Sequence, residues 1–359
     1  MRFVLLLIVL FLTACATQPH QTKQHIEISE SQQQEWAARI NEWWRDVNHL
    51  DTVAYRILTK GADYCKQQDH LGAYIGIRFW TGQSLAPEWK VVAQEKLGLG
   101  NHVQIASIIP SSPADLNGLK LSDVVVAING MPVQDITIVK TTIDTAVANK
   151  PIIFTVQRAG SLTDVSVSPV SACKSAVSLV DADMIDSFAD GQSIVISRGL
   201  LHFTKSDEEI ATVLSHQLAH NANKHQRNNT IAGVFGGLLG GIVGGAADVA
   251  LGLVTMGGFV STTFTSMGWE LGSVSASGVS DSQLQKADQD GMRLMVMADY
   301  SIDNVADFWE RVNDLNDPQK KNRLKLTLPI TQQRLVAMIS AQKQLKAEAS
   351  SSTLQAQQF

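Results

Sequence analysis

The stretch from Val103 to Gly130 limits the fold more tightly than any other part of this chain. Val103 to Ile109 reads as a strand, and it runs into Ser111-Ser112-Pro113-Ala114-Asp115-Leu116-Asn117-Gly118-Leu119. Asp123-Val124-Val125-Val126-Ala127-Ile128 then reads as a buried strand, closed by the turn Asn129-Gly130. Asn-Gly supplies two consecutive residues that tolerate positive φ, which a two-residue hairpin turn demands. Tyr74-Ile75-Gly76-Ile77 starts an alternating strand upstream, and Ile152 to Gln157 is another strand downstream. Residues 72–168 are therefore expected to form a β-rich unit, with a spacer from Phe79 to Gly100 inside it.

The pattern Ser-Pro-Ala, Gly-Leu, Asp-Val-Val, Ile-Asn-Gly resembles a bacterial PDZ domain. The resemblance implies that extended protein C-termini add as a strand at a sheet edge, with the loop Tyr74, Ile75, Gly76, Ile77 holding the terminal carboxylate on backbone N–H groups. The spacer is longer than usual for such a domain. A PDZ fold that serves only as a packing module stays open.

The chain has 359 residues, enough for about two domains. Ahead of the β-rich unit, residues 35–71 form a helical segment. Trp36, Ile40, Trp43, Trp44 and Val47 recur at three- and four-residue spacing, a stripe that reads as core. From about residue 178 the pattern turns helical with one short hairpin, Ser187-Phe188-Ala189-Asp190-Gly191 leading into the strand Ile194-Val195-Ile196. A helix begins at Asp207-Glu208-Glu209, acids that favour a helix N-terminus. It carries Ser215-His216-Gln217-Leu218-Ala219-His220-Asn221.

Histidines at i and i+4 share one helix face and can share one metal ion. In H-E-x-x-H zinc proteases the intervening Glu shuttles a proton between the metal-bound water and the leaving amine. Here that position is Gln217, whose carboxamide cannot titrate. The run from Ser187 through Gly199-Leu200-Leu201 to His216, His220 and His225 resembles the HtpX and CAAX-prenyl-protease type of zinc metallopeptidase, a gluzincin family, across residues 178–342. The resemblance implies a zinc cofactor with a third ligand, a Glu, on a later helix within Ser-Arg-x-x-Glu-x-x-Ala-Asp. The matching stretch is Ser280-Asp281-Ser282-Gln283-Leu284-Gln285-Lys286-Ala287-Asp288. Ala287 and Asp288 fit, but Leu284 stands at the ligand position. The family's later His-Pro appears as Leu328-Pro329, with Arg334 five residues beyond the proline. Asp288 is expected to orient a ligand histidine from behind it, and Asp281, Asp288 or Glu270 are the candidates to replace the missing ligand. Zinc, if bound at all, is expected to bind weakly.

The N-terminus is the other informative region. Arg2 precedes an apolar run, Phe3 to Leu12, too short to span a bilayer, and the run ends in Leu12-Thr13-Ala14-Cys15. This looks like a bacterial lipobox, so residues 1–15 are expected to be a signal peptide with Cys15 as the lipidation site. A plain secretory signal is the alternative. Ala16 in place of Asp favours the outer membrane, with the body facing the periplasm of a Gram-negative bacterium. Residues 16–34 read as a flexible tether. Cys65 and Cys173 form an even pair, read as one disulfide in an oxidising compartment, worth ~4–5 kcal/mol in the entropic account; two free thiols are the alternative. Net charge is −5, with no basic stripe that would suggest a nucleic-acid partner.

Residues 231–260 are glycine-rich and almost uncharged. They read as a lid or plug over the cleft, with membrane insertion or an oligomer contact through Gly-x-x-x-Gly spacing as alternatives. Residues 343–359 are a polar C-terminal tail. The expected fold is an α+β multidomain chain in which a β-rich PDZ-like domain joins a mainly α, zincin-like metallopeptidase domain. The functional expectation is an impaired or inactive metallopeptidase homologue that binds envelope polypeptides as adaptor or chaperone, anchored to the membrane by its lipid. The alternative is an active zinc endopeptidase with an H-Q-x-x-H site in envelope protein quality control.

Overall fold

The computed structural model describes residues 29–83, 85, 87–181, 183, 185–225, 252–255, 258–261, 279–315 and 330–356. Cys15 and the signal segment, most of the tether, Glu270, Leu328 and most of the glycine-rich segment lie outside the described residues.

Helix α1 (Glu30–Lys60) starts at Glu30 rather than Glu35 because Ser29 and Gln32 form a capping box. Its buried stripe includes Trp36, Ile40, Trp43, Val47, Leu50 and Ile57. After the short α2 (Ala62–Gln67), β1 (Leu71–Tyr74) pairs antiparallel with β8 (Val170–Cys173), Leu71 opposite Cys173. A disulfide joins Cys65 to Cys173 beside this ribbon. Everything from residue 75 to 169 is thus an excursion whose two ends are tied together.

The excursion is the expected β-rich unit. Its strands are β2 (Ile77–Trp80), β3 (Gln104–Ile108), β4 (Val124–Ile128), β5 (Met131–Pro132), β6 (Ile152–Arg158) and β7 (Ser161–Val167). They form an antiparallel sheet in the order β2-β3-β4-β6-β7, with β5 on β4. Helix α3 (Pro87–Leu97) lies between β2 and β3, α4 (Pro113–Leu116) between β3 and β4, and α5 (Ile136–Asp144) between β5 and β6. Ile75, Ile77, Phe79, Ile105, Leu119, Val125, Ile128, Phe154 and Val156 form a separate core. The Asn129-Gly130 turn has φ of 50° and 77°, as the dipeptide demands. β4 is not buried throughout: Val125 and Ile128 face the core while Val126 is exposed, because the register against β6 slips between Val125 and Ala127.

Side chains alternate along β2. Ile77 and Phe79 enter the PDZ-like core, while Arg78 and Trp80 turn the other way, onto α1. Arg78 makes a two-pronged pair with Asp51 of α1 and donates to the Val177 carbonyl at 3.0 Å. Trp80 meets Trp44 edge to face at 5.5 Å between centroids. The long spacer is accounted for by α3, which buries Val92 and Ala93 in the core that α1 also lines.

The second body holds β9 (Ala176–Val180), β10 (Ser187–Ala189) and β11 (Ser193–Ser197) in the order β10-β11-β9. β10 and β11 are the expected hairpin; β9, a fully buried run parallel to β11, extends it. Helices α6 (Arg198–Phe203), α7 (Asp207–Ala222), α8 (Asp281–Met297), α9 (Val305–Asp314) and α10 (Gln332–Ala356) follow. Leu50 of α1, Leu218 of α7, Met295 of α8, Phe308 of α9 and Met338 of α10 belong to one core, so the segment expected at 35–71 is an integral helix of this body. The polar stretch from residue 343 continues α10 to Ala356. Between α7 and α8, β12 (Gly252–Thr255) and β13 (Gly258–Ser261) pair with each other, and β12 also pairs with β2. Among the described residues, no helix is long and apolar enough to cross a membrane.

Candidate functional site

The centre of the second body is the packing of α8 on α7. A Cβ on Gly291 would come within 3.1 Å of the His216 backbone nitrogen, so glycine allows the two helices to approach there. His216 and His220, one turn apart, are both buried, and their Nε2 atoms stand 3.2 Å apart. Two imidazoles bound to one tetrahedral ion at ~2.0–2.1 Å would have about this separation.

Asp288 of α8 reaches His216 from behind, its Oδ1 2.9 Å from Nδ1. The same carboxylate takes two hydrogen bonds from Arg334 of α10, at 2.6 and 2.8 Å. Burial alone would raise its pKa, but the Arg334 guanidinium and His216 together hold the carboxyl below its ordinary value. Trp309 of α9 completes this side, its ring 5.4 Å from the His216 ring and 5.4 Å beneath the Arg334 guanidinium.

Among the described residues, the opposite requirement, a closed ligand set, is not met. Leu284 lies one turn before Asp288, hence on the same face of α8, and is 3% exposed. Asp288 is engaged by His216 and Arg334, and Asp281 is exposed in the first turn of α8. Among the described residues, no three His, Cys, Asp or Glu side chains are grouped to hold a metal. Gln217 is buried, and its carboxamide nitrogen donates to Ser187 Oγ at 2.9 Å and to the Ser187 carbonyl at 3.4 Å. The residue standing at the base position is therefore tied to β10. The histidine pair suits zinc, but the described side chains around it do not close a ligand set.

The roles of Ser187 and Trp309 could not be read from sequence, since both depend on packing between distant elements. Arg334 was visible only as a position after a proline. The sequence placed Asp288 behind a histidine, and the structure brings those two together.

The loop Tyr74–Ile77 lies at the opposite end of the PDZ-like unit's first strand. Gly76 has φ +76°, and a Cβ there would fall 2.2 Å from the Ser112 Cβ. Its carbonyl accepts from the Ile109 N–H, and the Ile75 carbonyl accepts from the Ala114 N–H. Tyr74, Ile75 and Ile77 are all buried. A cavity of about 350 Å³ opens beside Tyr74, lined also by Lys140, Ile143 and Asp144 of α5 and by Lys174.

Residues 163–342, half of the chain, match the family described as Peptidase family M48. The chain belongs to peptidase family M48. Residues 73–168 of this M48 chain match the PDZ domain family. Several solved PDZ-containing structures are similar to that region. The PDZ domain of HtrA3 bound to a phage-derived ligand (FGRWV) is 22% identical, aligned over 28% of this chain and 88% of that one, with a TM-score of 0.23. The HtrA-type protease AlgW with decapeptide is 19% identical over 28% of this chain and 30% of that one, with a TM-score of 0.24. A PDZ domain protein from Parabacteroides distasonis is 23% identical over 30% and 22% of the two chains, with a TM-score of 0.22. The M48 chain thus spans under a third of the length of the last two. No curated protein matches it.

Proposed function

We propose that this M48 member is a protease scaffold that has given up peptide hydrolysis and binds polypeptides as an adaptor or chaperone in the bacterial envelope. The observation that carries this reading is Leu284, a buried hydrocarbon side chain at the position of the third zinc ligand. Two neutral imidazoles hold zinc far more weakly than a closed three-ligand set. Gln217 supports the same conclusion. A carboxamide cannot carry a proton between water and leaving group, and loss of general acid–base catalysis alone costs on the order of 10²–10⁴ in rate. Polypeptide binding is assigned to the PDZ-like unit, with protein C-termini as the ligand class. Cys15 is the proposed lipid anchor, placing the body on the outer membrane facing the periplasm.

The test is zinc stoichiometry of the full-length chain purified without added metal, beside a His216→Ala control. The expected result is near zero in both. Near one zinc per chain, lost in the control, overturns the proposal. That outcome belongs to a second reading, an active zinc endopeptidase, which draws its support from the 3.2 Å histidine pair and the Asp288 carboxylate behind His216.

A further inference from the structure

A free strand edge offers a row of unpaired N–H and C=O groups, and strand addition to such an edge is how PDZ folds take extended peptides. In the PDZ-like unit one edge of β2 is taken by β3, Ile77 opposite Ile108. The other edge is the one a peptide leaving the Tyr74–Ile77 loop would follow. It already carries a strand of this same chain. β12 runs antiparallel to β2, with Leu253 opposite Trp80 and Val254 opposite Phe79. β13 backs β12 along its whole length, from Gly252 opposite Ser261 to Thr255 opposite Gly258.

We infer that β12 and β13 (Gly252–Thr255 and Gly258–Ser261) are a resident strand pair on the peptide-accepting edge of the PDZ-like unit, which an incoming polypeptide strand must displace. This deepens the polypeptide-binding reading proposed above. The register carries the argument. Continuing the pairing beyond Val254 leads toward Arg78 and Ile77, that is, toward the loop, but β12 ends at Thr255. The far half of the edge, Phe79 and Trp80, is filled. A C-terminus could therefore enter at the loop and would meet Val254 and Leu253 after its first few residues. Both strands also lie against β9, whose Val177 carbonyl holds Arg78. The pair is thus lodged between the PDZ-like sheet and the M48 body. Its composition suits an edge: Leu253, Val254, Thr255, Phe259 and Val260 are strand-favouring residues in a segment otherwise dominated by glycine. A binding edge open only a fraction of the time weakens apparent affinity by that fraction, so an edge free one-tenth of the time binds about tenfold more weakly.

The experiment places a benzoylphenylalanine photo-crosslinker at Val254 in the full-length chain and maps products by peptide mass. This changes one residue of β12 and none of the PDZ-like core. Crosslinks to residues 77–80 or to β9 are expected; products confined to other regions, or none, overturn the inference. Hydrogen exchange supplies an independent measurement. Amides of the peptide covering residues 77–83 should exchange at least about tenfold faster in Leu253→Pro/Val254→Pro than in the wild type, because proline removes the donor and breaks the ladder. Equal exchange overturns it. Zinc stoichiometry says nothing about this strand, so loss of the catalytic reading and loss of the resident strand are separately visible.

Discussion

Arg78→Met should strongly destabilise the chain. Arg78 is 2% exposed and Asp51 is fully buried, so the substitution leaves a carboxylate in the interior with neither counter-charge nor donor. Breaking a buried pair on one side costs about 3–5 kcal/mol, which at 2–4 °C per kcal/mol lowers the melting temperature by roughly 6–20 °C. Asp51→Ala should cost a similar amount by stranding the guanidinium. The double variant Arg78→Met/Asp51→Ala removes both charges and should recover most of the loss. What remains, about 1–3 kcal/mol, is the Val177 carbonyl deprived of its 3.0 Å donor. The cycle therefore predicts a coupling of at least about 3 kcal/mol. Urea unfolding followed both by tryptophan fluorescence and by exchange at β3 and β6 would report on the two bodies separately. A loss below about 1 kcal/mol for Arg78→Met, or single losses that simply add, would refute the account of Arg78 as the bolt between β2, α1 and β9.

Gly76→Ala puts a Cβ 2.2 Å from the Ser112 Cβ at φ +76° and should cost more than about 2 kcal/mol in thermal melts; adding Ser112→Gly should restore only part, since the backbone strain stays. Cys65→Ser/Cys173→Ser should lower stability by about 2–5 kcal/mol, read as a shift in urea midpoint, because the closed loop spans 108 residues. Burial opposes ionisation of Glu209 and Asp290, but Arg311 on the first and Lys286 on the second hold both carboxyls below their ordinary values. Their stabilising contribution is complete above the unfolded values near pH 4 and is lost as pH falls below them. The urea midpoint should therefore drop steeply under pH 4, and Glu209→Gln should flatten that limb; an unchanged slope would contradict the assignment.

Elements written in local pattern are legible in the sequence. The tryptophan stripe of α1, the Asn-Gly turn and the acidic start of α7 each follow from neighbours within a few residues. The remaining features depend on distant partners. β9 reads as an undistinguished apolar run until β11 lies parallel to it. The mixed burial of β4 comes from a register slip against β6, which no single strand announces. α3 looked like excess length in a groove, whereas its function is to pack on α1. In the candidate site, the i, i+4 spacing of His216 and His220 put both on one face, and Leu284 and Asp288 likewise. The clamp of Arg334 on Asp288, and of Ser187 on Gln217, belongs to tertiary packing and leaves no periodic trace.

The placement of α1 has a consequence for synthesis. This helix is complete at Lys60, and Trp80 and α3 cover part of its stripe soon after, but the remainder of its core comes from α7 and α8, which begin at Asp207 and Asp281. At roughly 5–20 residues per second, the ribosome needs on the order of ten seconds or more after finishing α1 before the first of those partners exists. Throughout that interval the nascent chain carries part of that apolar face uncovered, beside a PDZ-like unit with a core of its own. The helix that holds the finished molecule together is thus, early in its life, the part most in need of a caretaker.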